Sequence, residues 1–144
     1  MELINELLIK RGFKKNKNHW FLTNNFVTLV IECQKSRFKS GAFFLNFGVY
    51  FAHDSLNIKN IRIDDCYLVL RLNNLLNSRE PEDIWLNQEE LTEEQRLKIQ
   101  GAIDVFLTFL DVTVIVKVLN AEIVFDGLMI QKKTEGELLM MLLG

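Results

Sequence analysis

The chain has 144 residues, 49% of them hydrophobic, a formal charge of −2 and a single proline, a composition that excludes collagen-like repeats and disorder over most of the chain and argues against wholesale nucleic-acid binding. A chain of this length buries roughly 70% of the surface it exposes when unfolded, enough for one core, so residues 1–144 read as one domain. No apolar run reaches the roughly 20 residues a spanning helix needs, and Met1 leads into Glu2 and Glu6 rather than a basic and then an apolar segment, so a cytoplasmic protein with no membrane contact is expected.

The near-neutral total hides an asymmetry. Residues 1–40 carry a balance of +5 and residues 78–111 one of −6, a dipolar arrangement that would steer a charged partner. Cys33 and Cys66 lie in apolar, strand-like stretches outside any CxxC or Cys/His cluster, which reads as two buried thiols.

Leu3, Ile4, Leu7 and Leu8 recur at helical spacing between Glu2 and Arg11, and Gly12 stands where a helix stops. His19 to Thr23 and Phe26 to Cys33 read as a hairpin, with Asn24 and Asn25 as a two-residue turn that tolerates positive φ. The polar, basic stretch Gln34 to Gly41 separates it from Ala42 to Phe51. There Phe43, Leu45, Phe47, Val49 and Phe51 fall on one side of a strand, and Phe44, Asn46, Gly48 and Tyr50 on the other. Aromatics on both sides mark a central strand, covered by helices on one face and by a groove or second layer on the other. After a loop from His53 to Asn60, the alternation of Ile61 to Leu72 predicts a fourth strand, and Asn73 to Pro81 reads as punctuation.

Thr92 and Gln95 have capping-box spacing with Glu93 and Glu94 in the first turn, and Ile99, Ala102, Ile103, Phe106 and Leu110 continue as a helical stripe. The β-branched run Val112 to Val118 fits a strand by propensity or a wide apolar helix by period. The tail Glu135 to Leu143 reads as a short helix, and residues 138–143 are apolar enough to dock on the core or on a second copy of the chain.

Nucleotide-binding, hydrolase and zinc motifs are missing from the sequence. His19 and His53 stand alone, and Asp64-Asp65 reads as a solvated strand entry; no catalytic residue, metal ligand or cofactor is assigned. The turn Gln34-Lys35-Ser36-Arg37-Phe38-Lys39-Ser40-Gly41 offers cations and hydroxyls to an anion or a carboxylate on a partner, although charges that guard a sheet edge account for it as simply. Lys14, Lys15 and Lys17 ahead of Trp20 and Phe21 have the look of a single-strand nucleic-acid platform, but core packing is the better account of those aromatics.

The segments Leu7 to Lys15, Trp20, Val30 to Phe38 and Phe44 to Phe51, followed by Cys66, Arg71-Leu72 and Ile84-Trp85-Leu86, resemble in order and spacing a bacterial family known as a domain of unknown function, number four-three-zero-four. The resemblance covers about residues 3–110. It implies a compact α+β domain with helices packed on an antiparallel sheet, and a helical region after Asp111.

The expected fold is therefore α+β, with an antiparallel sheet of about four strands and helices on one face. The expected function is a non-catalytic protein-binding module, such as an immunity protein pairing with a basic toxin. An enzyme or small-anion binder using residues 34–37 is the alternative. Lys35, Ser36 and Arg37, with Asn46 as a neighbour across the sheet, form the expected contact surface, and the acids around Glu89 and Glu90 form a second.

Overall fold

The computed structural model describes residues 2–37, 41–51, 60–77, 86–87 and 91–131. It opens with α1 (Glu2–Lys10), whose Ile4, Leu7 and Leu8 are buried at helical spacing. Gly12, at φ 91, turns the chain into β1 (Lys14–Asn16), and β2 (His19–Thr23), β3 (Val27–Lys35) and β4 (Ala42–Phe51) follow as an antiparallel meander. A 3-10 turn (Ile63–Asp65) leads into β5 (Leu68–Arg71) and the short helix α2 (Leu72–Leu76). The two-residue strand β6 (Leu86–Asn87) precedes α3 (Glu93–Leu107), a second 3-10 turn (Thr108–Leu110), α4 (Val112–Leu119) and β7 (Met129–Ile130).

The class is α+β, as expected, but the sheet has seven strands among the described residues rather than about four. They run in the order β1-β2-β3-β4-β5-β7, all antiparallel, with β6 on the β5 side of β4. The added strands are two or three residues long, too short to show an alternation, which is why composition does not reveal them. For the same reason the segment 61–72 is not one strand: only Leu68–Arg71 pairs, and Asn73, expected in a loop, is buried inside α2.

Strand alternation separates two cores. On one face Val27, Leu29 and Ile31 of β3 and Phe43, Leu45, Phe47, Val49 and Phe51 of β4 pack against residues from all four helices. Phe47 is fully buried, its ring edge-on to Phe106 with centroids 5.1 Å apart. Trp20, also fully buried, donates its indole N–H to Asn5 Oδ1 of α1 at 3.0 Å, so its polar atom is satisfied inside the core. On the opposite face Val30, Ile61, Ile63 and Cys66 form a smaller cluster. Cys33 belongs to the first core and Cys66 to the second, so the two buried thiols stand on opposite sides of the sheet.

The capping box of α3 is present in both halves, with Gln95 N–H donating to Thr92 Oγ1 at 3.1 Å and Thr92 N–H to Gln95 Oε1 at 3.0 Å. Val112–Leu119 is helical despite its β-branched run. Asp111 caps it by accepting from the Thr113 N–H at 2.9 Å, and Ile115, Val118 and Leu119 are buried at three- and four-residue steps, so packing overrides propensity. His53, Glu89, Glu90 and the expected tail helix at 135–143 lie outside the described residues.

Candidate functional site

The sheet face opposite the helices carries a row of polar side chains at successive strand positions. Asn16 pairs with His19, His19 with Glu32, Glu32 with Asn46, and Asn46 with Arg71, so one register line crosses β1 to β5 on a single face. The next line on that face starts at Lys14 of β1 and is apolar from β2 onward: Phe21, Val30, Gly48, Val69 and Met129. Gly48 is required there because a Cβ at that position would lie 2.5 Å from Cys66 Sγ. The segment carrying Ile63 and Cys66 therefore presses onto the sheet at Gly48 and walls the polar row on one side. Gln131 holds that wall, donating from Nε2 to Ile63 O at 2.9 Å and to Cys66 O at 3.0 Å.

The result is a recess of about 780 Å³, lined along its floor by His19, Glu32, Gln34, Asn46 and Arg71 and at its rim by Lys17, Arg62, Asp64, Met129 and Gln131 among others. Its volume lies within the roughly 300–1,000 Å³ typical of ligand sites. His19 and Asn46 are buried, while Glu32 and Arg71 are half-buried. Asn18 donates from Nδ2 to Cys33 O at 3.2 Å, which turns its Oδ1 to His19 Nδ1 at 3.3 Å and fixes that ring nitrogen as a donor. Asn46 Nδ2 donates to Gln34 Oε1 at 3.0 Å. The Arg71 guanidinium lies 4.6 Å from the centroid of the Phe44 ring, and the Arg71 N–H donates to Asn74 Oδ1 at 2.6 Å as α2 begins. The described lining combines charged groups, amides and the His19 imidazole with the apolar side chains of Ile63, Val69, Leu70 and Met129. Such groups can hold and orient polar partners. No group of three His, Cys, Asp or Glu with metal-binding geometry occurs among the described residues.

The sequence-predicted surface divides between the two faces. Asn46 sits on the floor of the recess, but Lys35 pairs with Phe43, a residue of the helix-side core, so Lys35 and Asn46 point to opposite faces. Ser36 follows β3, its N–H donating to Ala42 O at 3.0 Å, and Arg37 is exposed beyond it. Lys35 instead joins Lys15 and Lys17 around a smaller recess of about 430 Å³ that also touches Trp20 and Cys33. Lys15 Nζ lies 5.7 Å from the Trp20 ring centroid, and the ring is fully buried, so it offers no face on which a base could stack. His19, Glu32 and Arg71 are the residues that sequence reasoning missed. Each is visible as a polar residue in a strand, but only the register aligns them.

The family model described as "Domain of unknown function (DUF4304)" matches residues 4–109. The chain belongs to this family, and the matched region contains the whole polar row. No curated protein and no solved structure matches the chain. No helix among the described residues is long and apolar enough to cross a membrane.

Proposed function

We propose that the protein is a non-catalytic binding module that pairs with another protein through the recess over His19, Glu32, Asn46 and Arg71, an immunity-type neutralising partner being the specific form. The observation that carries this reading is the polar line itself, an imidazole, a carboxylate, an amide and a guanidinium on adjacent strands of one open sheet face. Burying such groups without partners is costly, and a preformed row of them discriminates strongly between complementary and mismatched surfaces. Affinity capture from the source cell with the wild-type chain and with His19→Ala/Asn46→Leu tests it. A specific protein held by the first and lost by the second is the expected result; equal capture by both would remove the interface from this face.

A second reading, an anion-binding role, is favoured by one observation: Lys15, Lys17 and Lys35 converge on one corner of the sheet from the two basic segments. Binding of inorganic phosphate or an acidic peptide that vanishes in Lys15→Ala/Lys35→Ala would support it.

A further inference from the structure

Arg71 differs from the other members of the row in being held by an aromatic ring. Its guanidinium carbon lies over the Phe44 ring, 4.6 Å from the centroid, and the residue is half-buried at the recess floor. A contact with a ring face narrows the guanidinium's freedom without consuming its N–H donors, which keep the fork that matches an oxyanion. The described ion pairs are Arg11 with Asp104 and Lys98 with Glu94, so neither engages this fork. Its neighbour across the strands, Asn46, bonds to Gln34 through one donor and one acceptor, and each side-chain amide has a further donor and acceptor to offer. Glu32, beyond Asn46, supplies a negative charge.

These neighbours decide the kind of anion. Lys17, Arg62 and Arg71 line the recess against Glu32 and Asp64, and this small positive balance matches the single charge of a carboxylate better than a dianion such as a phosphate. We infer that Arg71 anchors a carboxylate of the bound partner, with Asn46 and Gln34 meeting the adjoining peptide group and Glu32 receiving a cationic side chain. The inference rests on the recess being the recognition surface.

The test is a nuclear magnetic resonance titration of the whole isotope-labelled chain with three blocked tripeptides: lysine-glycine-glutamate, its glutamine counterpart and its phosphoserine counterpart. The readouts are the Arg71 Nε–H and the Asn46 side-chain amide. The glutamate peptide should shift both saturably, the glutamine peptide should bind about tenfold more weakly or worse, and the phosphoserine peptide should bind no tighter than glutamate. Arg71→Lys keeps the charge but loses the fork, and should weaken the glutamate peptide by about tenfold. Phe44→Leu should weaken it also, and Lys35→Ala should not. No saturable shift at Arg71, equal binding of the glutamine peptide, tighter binding of phosphoserine, or wild-type binding by Arg71→Lys would each overturn the carboxylate anchor. If the peptides fail while capture of a protein partner still depends on His19 and Asn46, the anchor alone is wrong; if capture is indifferent as well, the recognition surface falls with it.

Discussion

Glu32 and Arg71 lie on the same face of the sheet two strands apart, with Asn46 directly between them. Two strand spacings separate their backbones by roughly 10 Å, so the opposite charges complement an incoming group rather than each other. Asn46 is buried yet bonds to Gln34, whose exposed side chain can turn to water if that bond is lost. Asn46→Leu, which replaces the amide by an apolar group of similar size, should shift stability by less than about 1 kcal/mol in urea denaturation. A larger loss would make Asn46 a structural residue first.

Gly48→Ala should destabilise the fold by about 1–3 kcal/mol, because the added methyl meets Cys66 Sγ at 2.5 Å and Ile63 Cδ1 at 3.0 Å. The wall of the recess must move to admit it. An unchanged denaturation midpoint would show that the segment 61–66 does not press on β4 as described.

Phe47→Ala should cost about 3–5 kcal/mol, since Phe47 is fully buried against Phe106 and its truncation leaves a cavity inside the core. Thr92→Ala, at the exposed start of α3, should cost only about 1 kcal/mol through loss of the cap. The contrast between the two, read from chemical denaturation, separates core packing from helix initiation.

Burial pushes the Cys33 thiol from 9.0 up to about 11. The folded state therefore holds this proton more tightly than the unfolded state does. Its contribution to stability is complete below pH 9 and is lost as the pH rises through the interval to about 11. In Cys33→Ala the alkaline loss of stability over that interval should be smaller than in the wild type. Native Cys33 should also resist alkylation at pH 9, where the denatured chain reacts.

The helix-side core was legible from alternation alone: the face Phe43, Leu45, Phe47, Val49 and Phe51 and the stripe Ile99, Ala102, Ile103 and Phe106 of α3 are where periodicity places them, while Leu110 falls in the following 3-10 turn, where Phe109 is buried instead. The polar row was not, and the reason is register. A turn at Asn24-Asn25 would have set Thr23 against Phe26 and His19 against Val30. In the structure Asn24 accepts from the N–H groups of Phe26 and Val27 through Oδ1, both at 2.8 Å, and the tip moves to Asn25-Phe26 without any positive φ. Thr23 then pairs with Thr28 and His19 with Glu32. A one-residue move of the turn thus exchanges an apolar neighbour for a charged one. The wall at Gly48 was equally hidden, because it depends on a contact with Cys66 that spans 18 positions of chain.

The claim that the recess is the recognition surface is tested most directly by measuring the Kd of the captured partner, once purified, for three variants of the chain. His19→Ala/Asn46→Leu alters the recess, Lys35→Ala/Arg37→Ala the basic end of β3, and Glu93→Lys/Glu94→Lys the acidic start of α3. The account predicts that the first raises Kd by about tenfold or more, and that the other two leave Kd within about twofold at physiological salt. A partner that binds the recess variant as tightly as the wild type, and loses affinity with either charge variant, would contradict it.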